Sequence, residues 1–383
     1  MTSRERISRV LSGLLPDRVP VSLYRLDPFE NNSFWAQHPS CRRLLEEARK
    51  IQDTFHFYQP RTGFFFSAPE AVPLKVVENQ DTPISRTIAL TVETSLGPLT
   101  RIARRTTVSS IEWVQKPWIE KTSDIEKFLS LPYTPYLPDL SDFFQQQQQL
   151  GEKGMMVVRL PDPLGVVGTL FAPGDLARFA LEYPQMVNRL LDHVQERLLP
   201  LYTYLGSHLD NAIVRIRGSE YVTPPALPRE YFRDIKGIFN DYVVRYDRVL
   251  IEALRRGGRR LHLCFHWHEF VEPLVPLIVR LQPDIVEPMA NTQELPNVIL
   301  RSRRTFGENM VIMGGLAAEE LEFGEPADIE QRVKDALLQG GRRGRFVLIT
   351  CGLPTSVPLA PNIEQNYLTF LEAGQRFGTY PLR

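Results

Sequence analysis

Cysteine is scarce in this sequence: Cys41, Cys264 and Cys351 are the only three among 383 residues. So few thiols cannot build a disulfide framework, and no other feature points to an oxidising compartment. Long apolar runs are missing as well, since no stretch of about 18 apolar residues exists to span a bilayer. The segment Met1-Thr2-Ser3-Arg4-Glu5-Arg6 is charged and leads into an amphipathic pattern rather than the apolar core of a secretory leader. Net charge is absent too: 45 basic residues balance 45 acidic ones, so no global field favours nucleic acid or an anionic membrane. Together these absences predict a soluble cytoplasmic protein, with neither nucleic acid nor membrane as partner, whose selectivity resides in a local site.

What is present is enough apolar residue, 43% of the chain, to bury a large core. Ile7, Val10, Leu11 and Leu14 recur at helical spacing behind Thr2 or Ser3 and stop at Pro16, which predicts an N-terminal helix. Two short strands follow, at Arg18–Tyr24 and Phe55–Tyr58, separated by a helix over Cys41–Gln52. From Val76 to Trp118 the pattern turns to near-alternation around Ser95-Leu96-Gly97-Pro98, which predicts an inserted β-hairpin or meander. The glutamine run 145–149 reads as the exposed side of a short helix.

Beyond Met155 strands and helices alternate strictly. Strands are expected at 155–160, 212–216, 261–264, 285–286, 311–313 and 346–350, with helices between them and a closing helix over 362–377. Alternation of this kind implies a parallel sheet with right-handed crossovers. With the two early strands the count reaches about eight, that of an α/β (β/α)8 barrel, here a single domain over 1–383 with an N-terminal helical extension.

Barrel chemistry occurs at the C-terminal ends of strands. Those ends carry Arg25 with Asp27, Asp162, Ser219 with Glu220, Cys264 with His266 and His268, Glu287, Gly314-Gly315 and Cys351. His262 and Cys264 are two apart on a strand, so imidazole and thiol face one side. With Cys351 brought to the same mouth they form a candidate zinc site with one open position, the catalytic arrangement. The plain alternative is that a free cysteine is a small apolar filler.

Several segments resemble the uroporphyrinogen decarboxylase superfamily, and especially its zinc-dependent branch that transfers methyl groups between corrinoid proteins and thiols such as coenzyme M. They are Asp17-Arg18-Val19-Pro20-Val21, Thr223-Pro224-Pro225 with Phe232, His262-x-Cys264, and Pro283-Asp284-Ile285-Val286-Glu287. Met313-Gly314-Gly315-Leu316, Phe323-Gly324-Glu325-Pro326 and Thr350-Cys351-Gly352 with Pro361-Asn362-Ile363 complete the set. The resemblance implies a (β/α)8 barrel in which His262, Cys264 and Cys351 bind zinc. A zinc-bound acceptor thiol is deprotonated and attacks the methyl group of a methyl-corrinoid (cobalamin) carried by a partner protein. Glu220 and Glu287 are then the candidate catalytic carboxylates, and Arg25, Asp27, Asp162, His266 and His268 the candidate substrate contacts. Glu287 is also a candidate further ligand.

The sequence departs from that branch after Cys264, where Phe265-His266-Trp267-His268-Glu269 replaces a small turn residue. Two other readings stand beside methyl transfer. A metal-free tetrapyrrole decarboxylase needs several arginines for its substrate's carboxylates. The early loop Tyr24-Arg25-Leu26-Asp27-Pro28-Phe29 supplies one, with Arg61, Arg159, Arg215 and Arg217 as supplements. The third reading is a non-catalytic corrinoid-binding partner. A homo-oligomer paired through the inserted β-edge is a further expectation.

Overall fold

A computed structural model describes residues 1–223, 226, 234–268 and 271–383. Pro224, Pro225 and Phe232, the expected start of the long helix near Arg229, and Glu269 lie outside the described residues. Eight parallel strands form one sheet. In chain order they are β1 (Val21–Ser22), β2 (Thr54–Tyr58), β7 (Gly154–Pro161), β8 (Ala212–Arg217), β9 (Leu261–His266), β10 (Ile285–Asn291), β11 (Val311–Leu316) and β12 (Phe346–Ile349). The intervening β3 (Leu74–Thr82), β4 (Ser85–Val92), β5 (Leu99–Thr106) and β6 (Trp113–Lys116) make a separate antiparallel meander. The large sheet runs β1-β12-β11-β10-β9-β8-β7-β2, and helices surround it, so the fold is the expected α/β barrel with its inserted β-meander.

The strands form where buried, β-branched-rich runs are flanked by turn residues, as parallel strands covered on both faces require. Alternate residues face inward. Phe55, Met155, Val157, Ile213, Cys264, Ile285, Val311, Met313, Val347 and Ile349 fill the interior in one apolar cluster. The N-terminal helix, Ser3–Leu11, is capped by Thr2 and Glu5 and adds Ile7, Val10 and Leu11 to that same cluster. It thereby plugs the N-terminal end of the barrel.

Closure between β1 and β2 is made by Asp53. Its backbone N–H donates to the Val21 carbonyl at 2.7 Å, and its carboxylate accepts from the Val21 N–H at 3.0 Å. Arg6 at 2.5 Å and Arg18 at 2.8 Å hold the same buried carboxylate. Removing one member would strand a buried charge, which gives the Asp17-Arg18-Val19-Pro20-Val21 motif a structural job. Gly315 is required by packing: a Cβ there would lie 2.3 Å from the Ile349 carbonyl oxygen.

Several strands run further than their sequence signals, β9 to His266 among them. β10 extends from Ile285 to Asn291 and β11 to Leu316, so Glu287 and Gly314-Gly315 lie within strands rather than beyond them. The helix expected over 293–303 occupies Val298–Phe306 instead. The one or two helices expected over 175–197, broken near Pro184, are a pair, Asp175–Glu182 and Pro184–His208, the second continuing through Pro200.

Candidate active site at the barrel mouth

The interior changes character toward the C-terminal ends of the strands. Below lie Met155, Val157, Ile213 and Ile285; two residues on, the same inward rows present Arg159, Arg215 and Glu287. Period-two alternation alone dictates this, because a residue two along a strand points to the same face. His266 at the end of β9, Tyr24 beyond β1 and Phe57 on β2 complete the layer.

Arg215 is its hub. Its guanidinium donates to the Glu287 carboxylate, reaches the Tyr24 hydroxyl at 2.9 Å, and lies 2.8 Å from His266 Nδ1. His266 Nδ1 is 3.3 Å from Glu287 Oε1, and Arg215, Glu287 and His266 are all buried. Burial would raise the Glu287 carboxyl, but Arg215 and His266 outweigh it and bring it down to about 2. Burial, seconded by Arg215, brings His266 down to about 4, so its imidazole is neutral near pH 7.

Three further arginines crowd this layer. Arg159 is brought down to about 10 by burial and then by the charges of Arg25, Arg217 and Arg215. Arg215 is satisfied by Glu287, and Arg217 pairs with Glu220 at 3.2 Å. Among the described residues Arg25 and Arg159 form no ion pair, and Arg159 Nε is buried without a hydrogen-bond partner. Arg25 also sits at φ 54°, exposed on the loop after β1. The layer's carboxylates, Glu287 and Glu220, are taken by Arg215 and Arg217, so the charges of Arg25 and Arg159 are left without an ion pair and suit a further anion.

The expected zinc ligands are placed differently from their anticipated positions. β9 continues to His266, so Cys264 is not at the rim. It stands in register with Ile285 among Met155, Ile213 and Val311, as the apolar filler. His262 is the second residue of that strand, about 13 Å of chain before its end at 3.3 Å per residue. Cys351 is half-buried just past the end of β12, where its thiol lies 3.7 Å from the Ile349 carbonyl oxygen. Burial and the charge of Glu287 push both thiols up, and burial pushes His262 down. Among the described residues no group of three His, Cys, Asp or Glu side chains is arranged to hold a metal ion. The three residues therefore do not fit a zinc centre as they stand.

Other candidates have structural duties. Asp162 caps the helix Pro163–Gly168 by accepting from the Gly165 N–H at 2.5 Å, and its side chain is buried. Asp27 is buried and bonds His56 Nδ1 at 2.6 Å. Glu220 lies on the turn after β8, where it accepts from the Gly218 N–H at 2.6 Å. Burial would raise it, and His266 and Arg217 bring it below the usual range. It borders the mouth as the anchor of Arg217. His268 stacks edge-on to His266, ring centres 5.2 Å apart. The sequence reading passed over Tyr24, and held Arg159 and Arg215 only as supplements. Arginines in otherwise apolar parallel strands, Met-Met-Val-Val-Arg159 and Ala-Ile-Val-Arg215-Ile-Arg217, were the available signal.

No family model matches the chain, and no curated protein is similar to it. Solved structures of similar fold include a B12-independent methionine synthase from Shewanella sp. W3-18-1, 13% identical, covering 94% of this chain and 96% of that one at a TM-score of 0.38. A GH26 domain of an endo-beta-mannanase/endo-beta-glucanase from Prevotella bryantii is 10% identical over 97% and 94%, TM-score 0.41. A Bacteroidetes-affiliated GH5 cellulase is 8% identical over 67% and 76%, also at 0.41. Likeness at this level assigns no chemistry to the present chain. The fold and the layered mouth define a (β/α)8 barrel with an arginine-rich layer at the C-terminal ends of its strands. Among the described residues no helix is long and apolar enough to cross a membrane.

Proposed function

We propose that this chain is an enzyme of the uroporphyrinogen decarboxylase kind that binds a small polyanion at the barrel mouth and removes a carboxylate from it without a protein-bound metal. The observation that carries this reading is the pair Arg25 and Arg159, unpaired guanidiniums beside Arg217, with Arg159 Nε buried and unsatisfied. Planar guanidiniums are the natural bidentate partners of carboxylates. Loss of carbon dioxide breaks a carbon–carbon bond and leaves the electron pair on the substrate's conjugated system. A proton must then be delivered to carbon. The Tyr24 hydroxyl, held 2.9 Å from the Arg215 guanidinium, is the donor best placed for it, since Arg215 stabilises the phenolate that forms. Water restores that proton afterwards. Glu287 and His266 are positioning residues that hold Arg215.

Methyl transfer to an anionic thiol is the second reading, favoured by the half-buried Cys351 at the rim. Coenzyme M carries a sulfonate that the same arginines suit, with a corrinoid protein as the donor's carrier. It draws no zinc step from His262, Cys264 and Cys351. The two readings part in one experiment. Purified protein is offered uroporphyrinogen, with carbon dioxide measured, and separately methylcobalamin with coenzyme M, with demethylation measured. Carbon dioxide release that is lost in Tyr24→Phe and Arg159→Gln supports the first reading. Demethylation without carbon dioxide release supports the second and overturns the first. Cobalamin binding without turnover in either assay leaves a corrinoid-binding protein.

A further inference from the structure

A second polar cavity lies outside the barrel wall. Phe55 and Phe57 of β2 face inward, so His56 and Tyr58 face outward, where the rings of Tyr58 and Phe143 meet edge-on at 5.3 Å and seat the helix Ser141–Leu150 on the wall. Between that helix, the loop after β1 and β2 is a cavity of about 500 Å3. Five carboxamides line it: Asn31 and Asn32 from the loop, and Gln145, Gln146 and Gln149 from the helix. The glutamine run is thus not simply a solvated face.

Its fixed point is His56. The ring is buried, Nδ1 is taken by the Asp27 carboxylate at 2.6 Å, and Nε2 meets Gln146 Oε1 at 3.2 Å. Burial works against the charged ring, but the hydrogen bond and charge of Asp27 win and raise His56 above its ordinary value. Nε2 is the ring atom turned toward the cavity, and its partner there is a side-chain amide that rotates away readily. The charged groups facing this space are already engaged or muted. Asp142 pairs with Arg61 at 2.9 Å, Lys153 lies over the Phe29 ring at 5.0 Å, and burial with the nearby Asp27 raises Glu30 toward its neutral form.

We propose that this cavity binds a neutral polyhydroxylated molecule, a sugar or cyclic polyol. Carboxamides both donate and accept, so they match hydroxyls, which do the same, whereas an anion could use only their N–H donors and would offer nothing to their carbonyl oxygens. His56 Nε2 supplies one directed hydrogen-bonding contact to a ligand hydroxyl, which can donate or accept as the ring requires, displacing Gln146 Oε1. The site is chemically distinct from the arginine-lined mouth and stands independently of the reaction proposed there.

The test is saturation-transfer NMR and calorimetry on the full chain with D-glucose, maltose, N-acetylglucosamine and myo-inositol as probes. At least one is expected to bind with a dissociation constant of about 1 mM or tighter. Gln146→Leu, a half-exposed substitution that leaves the Asp27–His56 pair intact, should weaken it about tenfold, and His56→Gln at least as much. Arg159→Gln should leave it unchanged. Circular dichroism verifies the fold of each variant. The proposal is overturned if none of the four probes binds, if binding survives Gln146→Leu unaltered in folded protein, or if Arg159→Gln abolishes it.

Discussion

The two halves of the barrel interior share the same strands, the same inward rows and the same packing, yet carry opposite chemistry. The lower half, from Val10 and Leu11 of the plugging helix to Cys264 and Ile285, is apolar throughout. The upper half, two residues further along each row, holds Arg159, Arg215, His266 and Glu287. Cys264 and Cys351 illustrate the contrast. One fills space below, and the other stands at the rim, so equal residue types do not imply a shared site. What separates the halves is height along the strand, a quantity that motif spacing does not report.

The largest expected effect falls on the upper half. Arg215→Met removes the partner of a buried carboxylate, and unfolding by urea should show a loss of about 3–5 kcal/mol. A loss below about 1 kcal/mol would mean that Glu287 is not in fact held by a buried pair. Acid should act next. His266 and Glu287 both titrate lower in the folded protein than their ordinary values, at about 4 and about 2. The unfolded chain therefore binds more protons as pH falls. Stability should be full above about pH 6.5 and decline toward pH 4 as unfolded histidine charges, by something on the order of 2–3 kcal/mol from His266. The Glu287 share is then lost from about pH 4.5 downward. Urea midpoints of His266→Asn should lose the upper part of that slope while keeping the lower.

The lower half should respond mildly. Cys264→Ala deletes one buried sulfur from an apolar cluster and should cost about 1 kcal/mol, with ligand binding at the mouth unaffected. A Cys264→Ala protein that folds fully but loses binding would restore Cys264 to the site. The smallest effect has the opposite sign. Arg159→Gln relieves repulsion from Arg25, Arg215 and Arg217 and should raise the thermal midpoint slightly, a gain of up to about 1 kcal/mol. Function would fall while stability rose.

Much of the fold was legible because alternation of strands and helices is a long-range pattern that survives local error. The count of eight parallel strands, the inserted meander and the capped N-terminal helix all followed from periodicity. Strand ends were less legible. Phe265-His266 continues β9 past Cys264 although a histidine reads as a turn or cap residue, because burial within the sheet overrides the weak propensity of a single side chain. That two-residue difference moves Cys264 from the rim into the core. Asp27 and Asp162 were read as substrate contacts from their position after strands, but their partners, His56 and the Gly165 N–H, are set by packing that spacing cannot show. The place of Glu287 in the barrel's polar upper layer was legible, while its dependence on Arg215, 72 residues away in the chain, was not.

On the proposed reading the mouth holds an anion through Arg25 and Arg159, which have no ion-pair partner among the described residues. Calorimetric titration of the full chain with mellitate, a rigid polycarboxylate, tests it most directly. Saturable binding is expected, weakened at least about tenfold by Arg159→Gln and further by raising salt to about 0.5 M. Equal affinity in wild type and Arg159→Gln, or no binding at low salt, would contradict it.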